Sequence, residues 1–498
     1  MKLASFFFFL IAALPASIQA DNLFDMAAIR DASTLEARVI QDWQPVAKHP
    51  GIRQKLIEIT VCEWWPGQKV RLPVTLCVPE DGGPCENVVL GNMGLALKPA
   101  LPNGAMLELL TRHGVGVVLV GMSTIDAMEP KGTLHLGMKE HLLKTKDPRY
   151  TPAWMWGMSD MRALTAAMAE SEAFAPKKVI ATGGSKRGVG ASICGIHDAR
   201  FTGIFPVVAP MLANPGGAYV RGSALEEEMQ ANADFLDQLS PGPNPLGLPD
   251  TARAALEARE ERRMDQAITM AQAKAAGWSR EDMLAMNDRA WEMCLIARHL
   301  DTVKARGLEF LYHVGTNDNV CPGLAMLGHR HPDFPVFILP GGQHGGPKDS
   351  GFTLQTPTQP EADENLLAFA LHHFDRKRFP VLEKPPVVET IWNAEKRELT
   401  VTATFRPTDL GNLVGGEVVS QQDKVSWCVD RSPPYTYAAE YDQWESAPME
   451  GSSSNGRILK AVIAVAENAK RVDLVTTHRF KVNGLVLNVS SPYSRWEK

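Results

Sequence analysis

Short apolar runs alternate with longer helix-patterned stretches through the first three quarters of the chain. Residues 55–65 and 70–79, joined by Pro66-Gly67-Gln68-Lys69, predict an antiparallel hairpin. Strand-like runs then recur at 88–90, 115–120, 179–182 and 204–208, separated by helical patterns at 105–112, 160–173 and 188–197. Apolar strands spaced by helices predict βαβ units and a parallel sheet buried on both faces. Between Met211 and Leu308 the strand signals vanish. Charged helical patterns take over at 224–239, 251–277 and 280–300, the last opened by a capping box of Ser279 and Asp282. Strand runs resume at 308–314 and 334–340, and residues 361–374 predict a closing helix. Beyond Lys384-Pro385-Pro386 the texture becomes short alternating runs at 387–392, 398–405, 424–429, 459–465, 472–480 and 484–489, which predict a small antiparallel β domain.

The chain therefore reads as α/β, with a mostly parallel sheet, a helical insertion and a C-terminal antiparallel β-sandwich-like domain. The expected boundaries are 21–380 for the first unit, with the insertion at about 213–305, and 386–498 for the second. The insertion suits a cap over a site or a helical decoration beside it, with the Pro/Gly-rich 240–245 as a hinge or surface loop. At 498 residues the chain exceeds one ordinary core, which agrees with two units or more.

One turn carries the first chemical signal. Val179-Ile180-Ala181-Thr182 runs into Gly183-Gly184-Ser185-Lys186-Arg187-Gly188 and then a small-residue helix, so a strand-turn-helix presents Ser185. A nucleophile elbow of this kind needs small neighbours beside the serine. Gly183 supplies one, and the other is displaced by one residue to Gly188, giving G-x-S-x-x-G with Arg187 in the usual small position. Two further groups follow in order. Gly315-Thr316-Asn317-Asp318 ends a strand with the candidate acid Asp318, and Gly341-Gly342-Gln343-His344 places the candidate base His344 on a loop after the next strand. Serine hydroxyls are poor nucleophiles at neutral pH; an imidazole takes the proton, and a carboxylate holds the ring's tautomer. The order Ser, Asp, His is that of α/β-hydrolases. The expected oxyanion donors are the backbone N–H of Lys186 and one from the Gly91-Asn92-Met93-Gly94 loop, assigned to Met93.

The run from Thr182 to Gly188, the stretch Asp198-Ala199-Arg200-Phe201-Thr202-Gly203-Ile204-Phe205-Pro206 and the Gly315-Thr316-Asn317-Asp318 turn resemble the PhoPQ-activated pathogenicity-related proteins, an α/β-hydrolase group. The elbow and Trp156-Gly157-Met158 are also similar to glucuronoyl and related carbohydrate esterases, which carry a basic residue directly after the serine. Lys186 stands there, where glucuronoyl esterases usually have Arg. The resemblance covers about residues 88–344 and implies an ester hydrolase in which Lys186 or Arg187 lies near the oxyanion or an acidic substrate.

Charge and cysteines narrow the classes. With 51 basic and 57 acidic residues and no basic tract, nucleic-acid binding is not expected. Residues 1–20 have a lone Lys2, a short apolar run and small residues ending at Ala20, the pattern of a cleaved secretory signal. The run is too short for a membrane anchor, so a periplasmic or secreted protein without a membrane span is expected. Seven cysteines without C-x-x-C spacing argue against a zinc or redox site; a bridge such as Cys77 to Cys85 and fully buried free thiols are equally compatible.

Trp154 and Trp156 are candidates to stack on a sugar or an aromatic ester, with Arg187 as a further substrate contact, although aromatics here are more often core. His329, His331 and Asp333 have metal-like spacing on a polar loop, for which solvation is the better reading. His197 suits a helix carboxyl end, and His313 a hydrogen-bonded strand interior. The expected activity is acyl transfer from a small-molecule or carbohydrate ester to water, with no cofactor or metal. An exported peptidase of the same fold and a non-catalytic cell-envelope or carbohydrate-binding protein are the alternatives.

Overall fold

The computed structural model describes residues 23–129, 131–212, 220–221, 268–318, 321, 324–343, 360–379, 384–406, 412–423, 444–451 and 457–498. The expected signal segment, most of the helical insertion, His344, Cys428 and the predicted strand 424–429 lie outside them.

The predicted hairpin forms from β2 (Ile52–Trp65) and β3 (Gln68–Pro79), and β1 (Arg38–Pro45) adds an antiparallel edge. β3 runs antiparallel to β5 (Gly116–Gly121), which pairs in parallel with β4 (Cys85–Met93). β6 (Phe174–Gly184), β7 (Gly203–Val207), β11 (Tyr312–Asn317) and β12 (Val336–Gln343) extend the parallel part. The resulting order, β1-β2-β3-β5-β4-β6-β7-β11-β12, is that of an α/β-hydrolase sheet. The predicted strand 308–314 is broken at Leu311, whose N–H donates to the Ile204 carbonyl; β10 (Glu309–Phe310) pairs with β7 ahead of β11. A separate pair, β8 (Val220–Arg221) with β9 (Ile268–Thr269), lies in the insertion.

β4 and β5 are fully apolar through their centres because helices cover both faces. On one face α2 (Gly104–His113) packs with the helix Pro360–Phe374 over Val89, Ile180 and Phe205. On the other lie α4 (Pro152–Ala169) and α5 (Lys186–His197), preceded in the chain by α1 (Met26–Arg30) and α3 (Leu134–Thr145). α4 is buried on every side, because the segment around α1 closes its outer face. Arg162 pins that segment by donating to the carbonyls of Ala28, Ile29 and Asp31. In the described part of the insertion the helix Arg280–Cys294 opens with the expected Ser279 and Asp282 capping box.

The C-terminal residues form two antiparallel sheets. The first joins β13 (Val387–Asn393), β14 (Glu398–Thr404), β18 (Ile458–Ala464) and β17 (Glu450–Gly451). The second joins β16 (Glu445–Pro448), β15 (Asn412–Gln422), β19 (Arg471–Val482), β20 (Leu485–Ser490) and β21 (Ser494–Glu497). Leu399, Val401 and Ala403, with their same-sheet neighbours Ile463, Ala461 and Leu459, alternate inward into one cluster with Val418, Leu474 and Phe480 of the second sheet, as a sandwich core requires. β20 sits beside β12 and the helix Pro360–Phe374. The Ser490 hydroxyl accepts from the Ile338 N–H at 2.9 Å, and Asn365 exchanges hydrogen bonds with the backbone of Asn488. These bonds satisfy part of what would be an open sheet edge.

Candidate active site

Ser185 caps the strand-turn-helix with φ 58° and ψ −126°, a backbone conformation that costs a non-glycine residue about 1–3 kcal/mol. Its N–H donates to Val207 O, and its own carbonyl accepts from Val189 N–H in the first turn of α5, each at 2.9 Å. The neighbours explain the unusual glycine spacing. A Cβ on Gly183 would lie 2.6 Å from both Arg187 Cβ and Asn92 Oδ1, so Arg187 fills the space that the missing Gly183 side chain leaves. Gly188 faces the Gly183 carbonyl and Ala209 Cβ at 2.8 Å, and Gly190 faces Asp160 Oδ2 at 2.6 Å. The small residues are needed where the helix meets the turn, which here falls one residue later than in the common pattern.

Asp318 follows β11, two strands from the elbow across β7, and is fully buried. The two elements are tied through β7. Val208, itself at φ 45°, donates its N–H to the His313 carbonyl at 2.8 Å, one residue after the carbonyl that Ser185 N–H reaches. The Cys321 thiol lies 3.3 Å from Asp318 Oδ2 and 3.2 Å from the Ala209 carbonyl, so the loop after β7 and the turn bearing the acid share a donor. His344 lies outside the described residues.

Lys186 opens α5 directly after Ser185, so its backbone lies at the amino end of the helix. Met93 ends β4, accepts the Met122 N–H on its carbonyl and is buried. Between these elements runs a polar cluster. Asn92 Nδ2 donates to Asp160 Oδ1 at 3.1 Å, and Arg187 Nη2 donates to the Met122 carbonyl at 3.3 Å. Burial pushes the Asp160 carboxyl well above the usual carboxylate range, opposed by the Asn92 hydrogen bond and the Arg187 charge. Burial likewise lowers the Arg187 guanidinium, which Asp160 counters. A cavity of about 360 Å³ opens alongside, between β4, β6 and the start of the helix Pro360–Phe374; Asn92, Met93, Gly183, Arg187, Val208 and Asp363 are among its walls.

No family model and no curated protein sequence matches the chain. Among solved structures, a glucuronoyl esterase from Solibacter usitatus aligns over 68% of this chain and 86% of its own, at 16% identity and a TM-score of 0.35. An acetyl xylan esterase from Paenibacillus sp. R4 aligns over 66% and 89%, at 15% identity and 0.35. A puromycin-hydrolyzing peptidase of Mycobacterium tuberculosis aligns over 66% and 40%, at 14% identity and 0.36. The resemblance to PhoPQ-activated proteins thus rests on the motif residues alone.

The three expected substrate contacts are placed as follows, with Arg187 alone of them among the residues lining the cavity. Trp154 is stacked on Phe24 with its indole N–H given to the Leu23 carbonyl, and the Trp156 indole N–H is given to the Ser123 carbonyl. Both rings are buried, Trp154 under the segment around α1 and Trp156 against the chain that follows β5. Arg187 turns its guanidinium inward, toward Met122 and Asp160. His197 is half-buried against Phe24 with Nε2 2.9 Å from the Met293 carbonyl, and His313 is a strand interior residue. The six described cysteines are free thiols. Among the described residues, no group of three His, Cys, Asp or Glu is placed to hold a metal, and no helix is long and apolar enough to cross a membrane. Asn92, Asp160 and Cys321 were not among the expected site residues. Of these, Asp160 had a signal, as the lone acid in the mostly apolar run from Trp154 to Ala167, whose one other charged residue is Arg162.

Proposed function

We propose that the protein is an exported serine hydrolase that cleaves carboxylic esters, carbohydrate esters foremost, by acyl transfer to water. The observation that carries this reading is the forced backbone of Ser185 at the mouth of β6, with the amino end of α5 behind it. A serine serving only as a turn residue has no need of that conformation, and glycine would adopt it freely. In the proposed reaction Ser185 Oγ attacks the ester carbonyl while His344 takes its proton, with Asp318 orienting the ring. The oxyanion forms toward the N–H groups of Lys186 and Met93. Collapse expels the alcohol, which receives the proton from His344. Water then repeats the sequence on the acyl-enzyme and releases the acid. Export rests on the first 20 residues, and the preference for carbohydrate esters on the elbow motif.

Incubation of the mature protein with a fluorophosphonate probe, beside Ser185→Ala, tests the reading. The expected result is a single adduct at Ser185, absent from the variant. A folded wild-type protein that stays unlabelled refutes it and favours a non-catalytic binding role.

A further inference from the structure

We propose that Asp160 is a positioning residue that locks the β4 loop to the first turn of α5, and so holds the two oxyanion donors in register with Ser185. This rests on the hydrolase reading above. Asp160 lies in the middle of α4 and is 1% exposed. It is not among the residues lining the cavity. Its Oδ1 accepts from Asn92, the residue directly before Met93 on β4. Its Oδ2 lies against Gly190 on α5, 2.6 Å from where a Cβ there would sit, and its charge favours the guanidinium of Arg187, the residue directly after Lys186. One carboxyl therefore reaches both elements that carry an expected donor.

The packing leaves the arrangement little slack. Asn92 Oδ1 and Arg187 Cβ both press on Gly183, and Asp160 Oδ2 presses on Gly190, each at a separation that leaves no room for a methyl group. The cluster is also costly. Asp160 Oδ2, Asn92 Oδ1 and Arg187 Nε are buried without a hydrogen-bond partner, and each such atom carries an uncompensated desolvation penalty. A joint between α4 and α5 needs no polar groups, as the same helices show where Ile193 packs directly on Gly157. A buried polar set retained at that cost marks a site where geometry is held for function. Asp160 neither gains nor loses a bond in the reaction.

The test compares wild type, Asp160→Ala, Asp160→Asn, Asn92→Ala and the double alanine variant, with p-nitrophenyl acetate as substrate. Turnover is expressed per serine reactive toward fluorophosphonate, so that misfolded protein is not counted. Loss of one oxyanion donor costs about a hundredfold to a thousandfold, so partial displacement in Asp160→Ala is expected to lower kcat about 10–100-fold, with KM within about threefold. Asp160→Asn keeps an acceptor for Asn92 and is expected to recover most of that loss. The double variant is expected to be no worse than the worse single one, because the two residues act as a unit. If Asp160→Ala melts earlier yet turns over at the wild-type rate per reactive serine, or if the losses add, Asp160 is only structural. A wild-type protein that neither labels nor turns over removes the hydrolase reading and the role of Asp160 together.

Discussion

Gly188→Ala is the sharpest probe of the elbow, because two of the three nearest atoms in its way are backbone and the third is a Cβ. The added Cβ would lie 2.8 Å from the Gly183 carbonyl oxygen, 2.8 Å from Ala209 Cβ and 3.0 Å from the Val207 carbonyl oxygen. Ordinary contact starts about 0.6 Å farther out. None of the three can rotate away as a side chain would, since Gly183 and Val207 belong to β6 and β7 and the Val207 carbonyl also holds the Ser185 N–H. The strain must move α5 relative to the sheet, which is overpacking, at about 1–3 kcal/mol. Ser185 sits at the hinge of that movement. A misplacement of about 1 Å costs about a hundredfold in rate, so a half-ångström shift should slow fluorophosphonate labelling about tenfold. The assay is the second-order labelling rate together with a urea unfolding curve. Gly83→Ala is the control, since nothing lies within 4 Å of its added Cβ, and it should stay within about 0.5 kcal/mol of wild type. Wild-type labelling and unchanged unfolding for Gly188→Ala would refute the account of why the small residue is displaced to position 188.

Further outcomes follow from buried groups. Burial holds the imidazoles of His197 at about 4 and His478 at about 3, below the ordinary 6.5, so the unfolded chain binds more protons between those values and stability falls as pH drops from about 6.5. At pH 5 each should cost about 2 kcal/mol relative to pH 8; urea unfolding of His478→Gln at the two pH values should show one share of that slope removed, and an unchanged slope would contradict it. Burial pushes the Cys77 and Cys294 thiols up to about 12 and Cys85 to about 11, so these should ignore a thiol-reactive disulfide reagent at pH 8 until the protein is unfolded. A Cys77 to Cys85 bridge in non-reducing peptide mapping would overturn that. Arg162→Met strands the carbonyls of Ala28, Ile29 and Asp31, and should cost about 3 kcal/mol with faster proteolysis near residue 30; unaltered digestion would argue against the anchoring role.

What could be read from the chain divides by the range of the interactions involved. The hairpin, the parallel strands and α2, α5 and the closing helix announce themselves because each buries a local apolar pattern, and the turn residues between them are explicit. β1 escapes that reading because its exposed edge position leaves a polar, unpatterned sequence, Arg38-Val39-Ile40-Gln41-Asp42. The burial of Trp154 is hidden for the opposite reason. Nothing in the local sequence of α4 says that residues 23–35, more than a hundred positions earlier, will cover its outer face. The elbow is legible through Gly183 and Ser185, yet its spacing becomes intelligible only when Asn92, Asp160 and Arg187 converge from three separate elements. The G-x-S-x-x-G pattern is therefore a record of long-range packing: with Arg187 Cβ occupying the space beside Gly183, the close approach to β7 passes to Gly188. A smaller residue at 187 would lose the charge that faces Asp160, so the departure from the common motif and the buried carboxyl belong to the same structural solution.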